Sequence, residues 1–116
     1  MTRRLAEKRG RDGETRAAVW LRAKGWQILD RRVKTPAGEI DIIARRGGVI
    51  AFVEVKWRRR RADLDHAVDE HRLSRVAAAV EAVAHRYAGS GEDIRLDVIL
   101  LAPGSFPRHI ANAWQP

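Results

Sequence analysis

The stretch GEIDIIARRGGVIAFVEVK, residues 38 to 56, decides the fold. Two runs rich in Ile and Val flank Gly47 and Gly48, which is typical of a β-hairpin with a tight turn. The pattern predicts one strand over 39–46 and a second over 49–57. Four charged residues lie inside these strands rather than at the turn: Glu39, Asp41, Glu54 and Lys56.

A two- or four-residue loop centred on the paired glycines sets the register of the hairpin, whereas a three-residue loop would shift it by one residue. The symmetric register places Asp41 opposite Glu54, and it places Glu39 opposite Lys56. Because opposed residues project to the same side, these charges are predicted to form one polar patch. The other face is predicted to be core, and it carries Ile40, Ile42, Ala44, Ala51, Val53 and Val55.

Opposed carboxylates repel each other, so the predicted patch needs a compensating cation. Carboxylate oxygens suit Mg²⁺ or Mn²⁺, which keep water and phosphate oxygens as further ligands. Lys56 could orient or help to deprotonate a water there, or stabilise charge on a phosphate. The alternative interpretation is a solvated strand face on which Glu39 pairs with Lys56.

Periodicity and turn residues predict the remaining elements: a helix over 13–24, a strand over 26–34, a second helix ending near Tyr87, and strands over 94–102 and 108–114. Residues 63–65 offer helix N-caps, and residues 1–12 are expected to form a flexible basic arm. The order αβββαββ predicts a single α/β domain over 1–116, with a central mixed β-sheet flanked by helices in three layers.

Glu14 interrupts the apolar stripe of the first helix, which also contains Ala17, Ala18 and Leu21. A charged group on a buried stripe needs a partner. If this helix packs over the polar patch, Glu14 is a further metal ligand, directly or through water. The alternative is a carboxylate placed near the helix N-terminus by the helix dipole.

The charge of the chain favours a polyanionic partner. It has 23 Lys and Arg against 15 Asp and Glu, a net charge of +8, which is typical of nucleic-acid binding, although GC-rich coding also enriches arginine. The run Arg58, Arg59, Arg60 and Arg61 follows the patch and is predicted to contact phosphates; otherwise it is a solvated loop. Trp57 either stacks on a base or packs at the strand end.

Composition excludes several other classes of site. With no cysteine, disulfides and thiolate metal sites are impossible, which suits the cytoplasm. No signal peptide or membrane-spanning run is expected. The four histidines lack zinc-site spacing, and no phosphate-binding glycine loop or nucleophile elbow is present.

Five segments resemble the YraN-like family of small bacterial proteins: GETRAAVWLRAKGWQIL (13–29), GEIDII (38–43), FVEVKWR (52–58), RLDVILL (95–101) and HIANAW (109–114). That family has the restriction-endonuclease-like fold with the PD-(D/E)xK signature and is similar to Holliday junction resolvases. The family usually has an Asn near Arg32 and a Lys near His71, where this chain has Arg and His.

The resemblance implies roles for individual residues. Asp41 and Glu54 match the metal-binding acids, Lys56 matches the catalytic lysine, and Glu14 matches a helix-borne Glu, with Glu39 in support. The implied reaction is Mg²⁺- or Mn²⁺-dependent hydrolysis of phosphodiester bonds by an endonuclease. Resolvase-like enzymes usually act as dimers, so a homodimer is an expectation too.

Three functions therefore remain open. The first is a metal-dependent nuclease acting on structured, branched or single-stranded nucleic acid, with DNA favoured over RNA. The second is a nucleic-acid-binding module that keeps the fold without activity. The third is a protein-interaction adaptor, and the net positive charge favours the first two over it.

Overall fold

The order of helices and strands follows the sequence prediction. The computed structural model describes residues 3–60 and 69–114. These form α1 (Arg3–Ala23), β1 (Gln27–Thr35), β2 (Gly38–Arg46), β3 (Val49–Trp57), α2 (Glu70–Val83) with a 3₁₀ turn (Ala84–Arg86), β4 (Asp93–Leu101) and β5 (Arg108–Ile110). The predicted order αβββαββ is confirmed.

Several element ends differ from prediction, most clearly at α1, α2 and the last strand. α1 begins at Arg3 and therefore extends well beyond the predicted start at residue 13. α2 is capped by Asp69, whose side chain accepts a hydrogen bond from the backbone N–H of His71; the caps predicted at 63–65 lie outside the described residues. The last strand is only three residues long, because the left-handed backbone of Asn112 ends the extended run.

The five strands form one mixed sheet in the order β1-β2-β3-β4-β5. β1, β2 and β3 are antiparallel neighbours, β4 lies parallel to β3, and β5 returns antiparallel to β4. The parallel pair fits the position of α2 between the two strands in the chain, because parallel neighbours need a crossover connection. The pair matches β3 with β4 along their entire length.

Both faces of the sheet are buried, so the domain has three layers. Under α1 lies a cluster that includes Ile42, Ala44, Ala51 and Val53, and Val55 packs against it, as predicted. The other face is apolar too, because Ile43, Ile50 and Phe52 pack beneath α2. The hairpin therefore has core residues on both faces, as the three predicted layers require. Burying a large apolar side chain stabilises the fold by about 1.5–3 kcal/mol.

At one level of the sheet, the inward-pointing side chains of β1 and β2 switch from one face to the other. Ile42 packs under α1, whereas Ile40 and its partner Val33 pack under α2. Residues two apart normally share a face, so the prediction that Ile40 and Ile42 lie together is wrong. The β1–β2 ladder skips one residue of each strand at this level, Arg32 in β1 and Asp41 in β2. Arg32 has φ +53°, and this left-handed residue rotates the strand.

Small residues let α1 approach the sheet closely. Ala17, Ala18 and Leu21 are fully buried, and a Cβ on Gly13 would lie 3.7 Å from the Trp57 side chain. The close approach brings Glu14, the next residue, to the C-terminal end of β3. Neither described helix has the length and hydrophobicity to span a bilayer.

Candidate functional site

A polar cleft opens where β2 and β3 part. Its volume is about 650 Å³. The ladder between the two strands runs from Arg46–Val49 to Ile42–Val53, and the cleft begins at the next level. Carboxylates and cations from both helices and both strands line it: Glu14, Glu39, Asp41, Glu54, Lys56, Arg58, Arg72 and Arg75.

Asp41 lies in the gap between the strands. Its Oδ2 accepts a hydrogen bond from the backbone N–H of Val55 at 2.8 Å, so the carboxylate replaces a backbone acceptor of β2. Burial raises the pKa of Asp41 to about 7; the Val55 N–H opposes this shift, and nearby Glu14 and Glu54 add to it. A buried carboxyl beside two others is a site that a cation would stabilise as the anion.

Three carboxylates converge closely enough to share one cation. Oxygens of Glu14, Glu39 and Asp41 lie within 4.8 Å of one another. They come from two elements and differ in exposure. Glu14 is on the buried side of α1, whereas Glu39 is exposed on β2 and Asp41 is partly buried on the same strand. Hard oxygen donors in this arrangement match the ligand preference of Mg²⁺ and Mn²⁺.

Glu54 and Lys56 form a buried pair on β3. Lys56 Nζ lies 2.8 Å from Glu54 Oε1, and both side chains are less than a tenth exposed. Burial lowers the pKa of Lys56, and its hydrogen bond to Glu54 opposes this. Glu54 Oε2 is buried and has no hydrogen-bond partner within the described ranges. A buried acceptor left open normally meets a water or an ion.

α2 contributes arginines that the sequence reasoning missed. Arg72 Nε lies 3.3 Å from Glu54 Oε1, and Arg75 lines the same cleft. The two follow helical spacing, with Leu73 and Val76 as their buried neighbours on α2. That flanking position was a signal available in the sequence, since residues bordering an apolar stripe lie at the rim of the packed face.

A second ion pair holds one of the clustered carboxylates. Arg32 Nε donates to Glu14 Oε2 at 2.5 Å. The Arg32 side chain is 38% exposed, whereas that of Glu14 is 12% exposed. Glu14 thus has a cationic partner, as a charged residue on a buried stripe requires.

The structure brings the predicted residues together but not through the predicted ladder. Because that ladder ends at Ile42 and Val53, the predicted backbone pairings of Asp41 with Glu54 and of Glu39 with Lys56 do not form. Glu39 pairs with Lys34 of β1 instead. Glu39 moves from a supporting position to the carboxylate cluster, and Glu54 is held by Lys56.

The basic run after β3 reaches the cleft with its first member. Arg58 lines the cavity, Arg59 and Arg60 are exposed next to it, and Arg61 lies outside the described residues. Trp57 packs against the core cluster beneath α1, as the structural interpretation of this residue predicted. Base stacking by Trp57 is therefore not favoured.

These features define a class: a mixed α/β domain with a cleft of carboxylates, a buried lysine and arginines between two interior strands of its sheet. The chain belongs to the uncharacterised protein family UPF0102, whose model matches residues 13–101. This confirms the resemblance to the YraN-like family.

Relatives from several bacteria match over almost the entire chain. A UPF0102 protein of Erythrobacter litoralis is 75% identical over 116 residues, and one of Sphingopyxis alaskensis is 58% identical over 116 residues; the first covers 100% of both chains, and so does the second. A UPF0102 protein of Caulobacter vibrioides is 47% identical over 94% of this chain and 88% of its own. Their shared description states no activity.

Proposed function

We propose that this protein is a divalent-metal-dependent endonuclease that hydrolyses phosphodiester bonds in nucleic acid. The observation that carries the proposal is the meeting of Glu14, Glu39 and Asp41 with the buried Glu54–Lys56 pair in one cleft. A metal held by acidic ligands can activate water and polarise a phosphate, and a lysine beside it can stabilise the developing charge, which together suffice for phosphodiester hydrolysis.

The residues fit Mg²⁺ or Mn²⁺. Carboxylate oxygens of Glu14, Glu39 and Asp41 would hold the ion, and Glu54, which lines the same cleft and has an unpartnered Oε2 within the described ranges, would be a further ligand or an acceptor for a bound water. Such an ion supplies Lewis-acid polarisation of phosphate and water. The donors are all oxygen, which favours these hard cations over zinc.

The protein's own groups then orient the reactants. Lys56 holds the attacking water, whose oxygen forms the new bond to phosphorus while the bond to the ester oxygen breaks. The water gives up its proton to solvent, and the leaving oxygen takes one. Arg58, Arg72 and Arg75 stabilise the negative charge of the phosphate and of its neighbours.

The net charge of +8 supports a nucleic-acid substrate, in which every nucleotide carries a phosphate. Structured, branched or single-stranded DNA is the substrate class we test first, with RNA as a comparison. We expect the activity in the cytoplasm, and we expect nucleic acid rather than a membrane to be the partner.

A second candidate is a nucleic-acid-binding module without activity. One observation favours it: cations of the protein itself already pair with two of the four acids, with Arg32 on Glu14 and with Lys56 and Arg72 on Glu54. A cleft balanced in this way can bind phosphate without metal chemistry.

The two candidates separate in a cleavage assay. Labelled duplex, single-stranded and four-way-junction DNA are incubated with the protein and Mg²⁺ or Mn²⁺, and products are resolved by denaturing electrophoresis. We expect metal-dependent cutting that Asp41→Asn and Lys56→Met each reduce by at least about 10²-fold, the usual scale for one catalytic group.

Glu81→Gln provides the matched control, because it removes an exposed carboxylate of α2 outside the cleft. Its activity should equal that of the original protein. Binding of all three DNA forms without cutting by any variant would support the non-catalytic module instead. Equal cutting by Asp41→Asn and the original protein would contradict the assigned site.

A further inference from the structure

Arg32 occupies an unusual position next to the carboxylate cluster. It has φ +53°, and the other non-glycine residue with positive φ in the described ranges is Asn112. Asn adopts this backbone readily, whereas Arg seldom does. The rotation lies at the level of Asp41 in the neighbouring strand. A strained backbone at this level places a guanidinium beside the proposed metal ligands.

The guanidinium and a metal ion would use the same oxygen-bearing group. Arg32 Nε lies 2.5 Å from Glu14 Oε2, and Glu14 oxygens also approach those of Glu39 and Asp41. A charge-assisted hydrogen bond lowers the gain that a cation obtains from the same carboxylate. The positive charge of the Arg32 guanidinium would also repel a metal ion bound to the neighbouring carboxylates.

We propose that Arg32 competes with a divalent cation for Glu14, so that metal binds fully only when the guanidinium turns away. The side chain can leave without unfolding because 38% of it is exposed, while Glu14 stays packed at 12% exposure. Arg32 therefore sets the affinity of the cluster for metal. This inference rests on the proposed function, since it assumes that the carboxylates bind a divalent ion.

A purely structural role for Arg32 makes the opposite prediction. If the ion pair only positions Glu14 for the metal, its removal should weaken metal binding. If Arg32 competes, its removal should tighten metal binding. The sign of the change in Mn²⁺ affinity therefore distinguishes the two roles without any measurement of cleavage.

The test is titration calorimetry of Mn²⁺ into metal-free protein. Arg32→Asn and Arg32→Gly both accept a left-handed backbone, so the fold is retained, as circular dichroism checks. We expect each to lower the Kd for Mn²⁺ by roughly two- to fivefold, the ratio that corresponds to one partly exposed ion pair.

Two controls make the result specific. Arg31→Gln removes the same charge one residue away, where the guanidinium donates to Thr15 rather than to Glu14; the Kd should change less than about twofold. In a Glu14→Gln background, Arg32→Asn should no longer tighten binding, because the shared ligand is gone.

Unchanged or weaker Mn²⁺ binding by the Arg32 variants overturns the competition while leaving the metal site intact. The same gain in the Glu14→Gln background would also overturn it, since the effect would then be general electrostatics. Absence of Mn²⁺ binding by every protein, the original included, would overturn both this inference and the metal dependence of the proposed function.

Discussion

Asp97 shows how one buried carboxylate fixes the edge of the sheet. The residue is fully buried, and it accepts hydrogen bonds from Arg95 and from the backbone N–H of Asn112. His109 Nε2 lies 2.7 Å from Asp97 Oδ2. These contacts attach the short β5 segment to β4. Removing one partner of such a buried network costs several kcal/mol.

Acid should destabilise the protein through Asp97. Burial alone would raise its pKa, but hydrogen bonds from His109, Arg95 and Asn112 hold the pKa at about 2. Because the folded pKa lies below the unfolded value of 3.8, this stabilisation is present above pH 4 and is lost as the pH falls towards 2. The loss is about 2 kcal/mol.

Urea unfolding between pH 5 and pH 2.5 measures this loss. Asp97→Asn should be less stable throughout but should lack this part of the pH dependence, and Asp93→Asn, at an exposed position of the same strand, should keep it. Parallel pH profiles for the original protein and Asp97→Asn would show that other carboxylates govern acid unfolding.

The sequence predicted part of this residue-scale picture. Arg95 and Asp97 are two apart on a strand and share a face, so the sequence alone indicates the ion pair that they form. The contribution of His109 was not predicted, because it depends on how the chain returns after the loop that follows β4. Long-range contacts of this kind leave no local periodicity in a single sequence.

At the scale of elements, the β2–β3 turn depends on one glycine more than on the other. Gly47 has φ +58°, whereas Gly48 is not among the glycines with positive φ, and a Cβ on either would meet no atom within 4 Å. The difference between them is therefore a property of the backbone. A left-handed residue other than Gly costs about 1 kcal/mol.

Gly47→Ala should lower the free energy of unfolding by about 1–2 kcal/mol. Gly48→Ala should change it by less than about 0.5 kcal/mol, since the substitution meets neither a clash nor a strained backbone. Chemical denaturation of both variants tests the pair. Equal losses would mean that the turn is not held in the described conformation.

The paired glycines predict the hairpin register near the turn but not at the far end of the strands. They correctly set the register from Arg46–Val49 to Ile42–Val53. They do not reveal where the strands part, because that depends on the left-handed Arg32 of β1 and on the Asp41 side chain that bonds to Val55. The candidate residues were therefore predicted correctly as a group, while their pairing was not.

At the scale of the molecule, metal binding and folding should be linked. A ligand that binds only the folded state stabilises it by about 2.7 kcal/mol at a hundredfold excess over Kd. For a domain of this size we expect Mn²⁺ to raise the melting temperature by roughly 10 °C. Differential scanning fluorimetry with and without Mn²⁺ measures the shift.

Asp41→Asn should lose most of the Mn²⁺-dependent shift, because it removes a central carboxylate of the cluster. Glu81→Gln should keep it. A shift of the same size in Asp41→Asn would place the binding elsewhere, for example among other exposed acids. Calcium in place of Mn²⁺ provides a check on ion selectivity, since Ca²⁺ prefers more ligands at longer distances.

The molecule as a whole was more predictable than its site. Hydrophobic periodicity and glycine turns specified the order of elements and the three layers, because each layer has to bury an apolar face. The arginines of α2 came into the cleft through tertiary packing, and only the structure shows which hairpin residues, Ile43 and Phe52 among them, pack beneath α2.

The parting of β2 and β3 gives the cleft one stiff wall and one compliant wall. β3 is bonded to β4 from Val49 to Trp57, so Glu54 and Lys56 are carried by a strand that is braced along its length. Asp41 is carried by β2 at a level that the ladders on both sides skip. The Asp41 carboxylate links the two walls by accepting the hydrogen bond from the Val55 N–H, so opening the cleft would break that bond, and a ligand that bridges the two walls would hold them together.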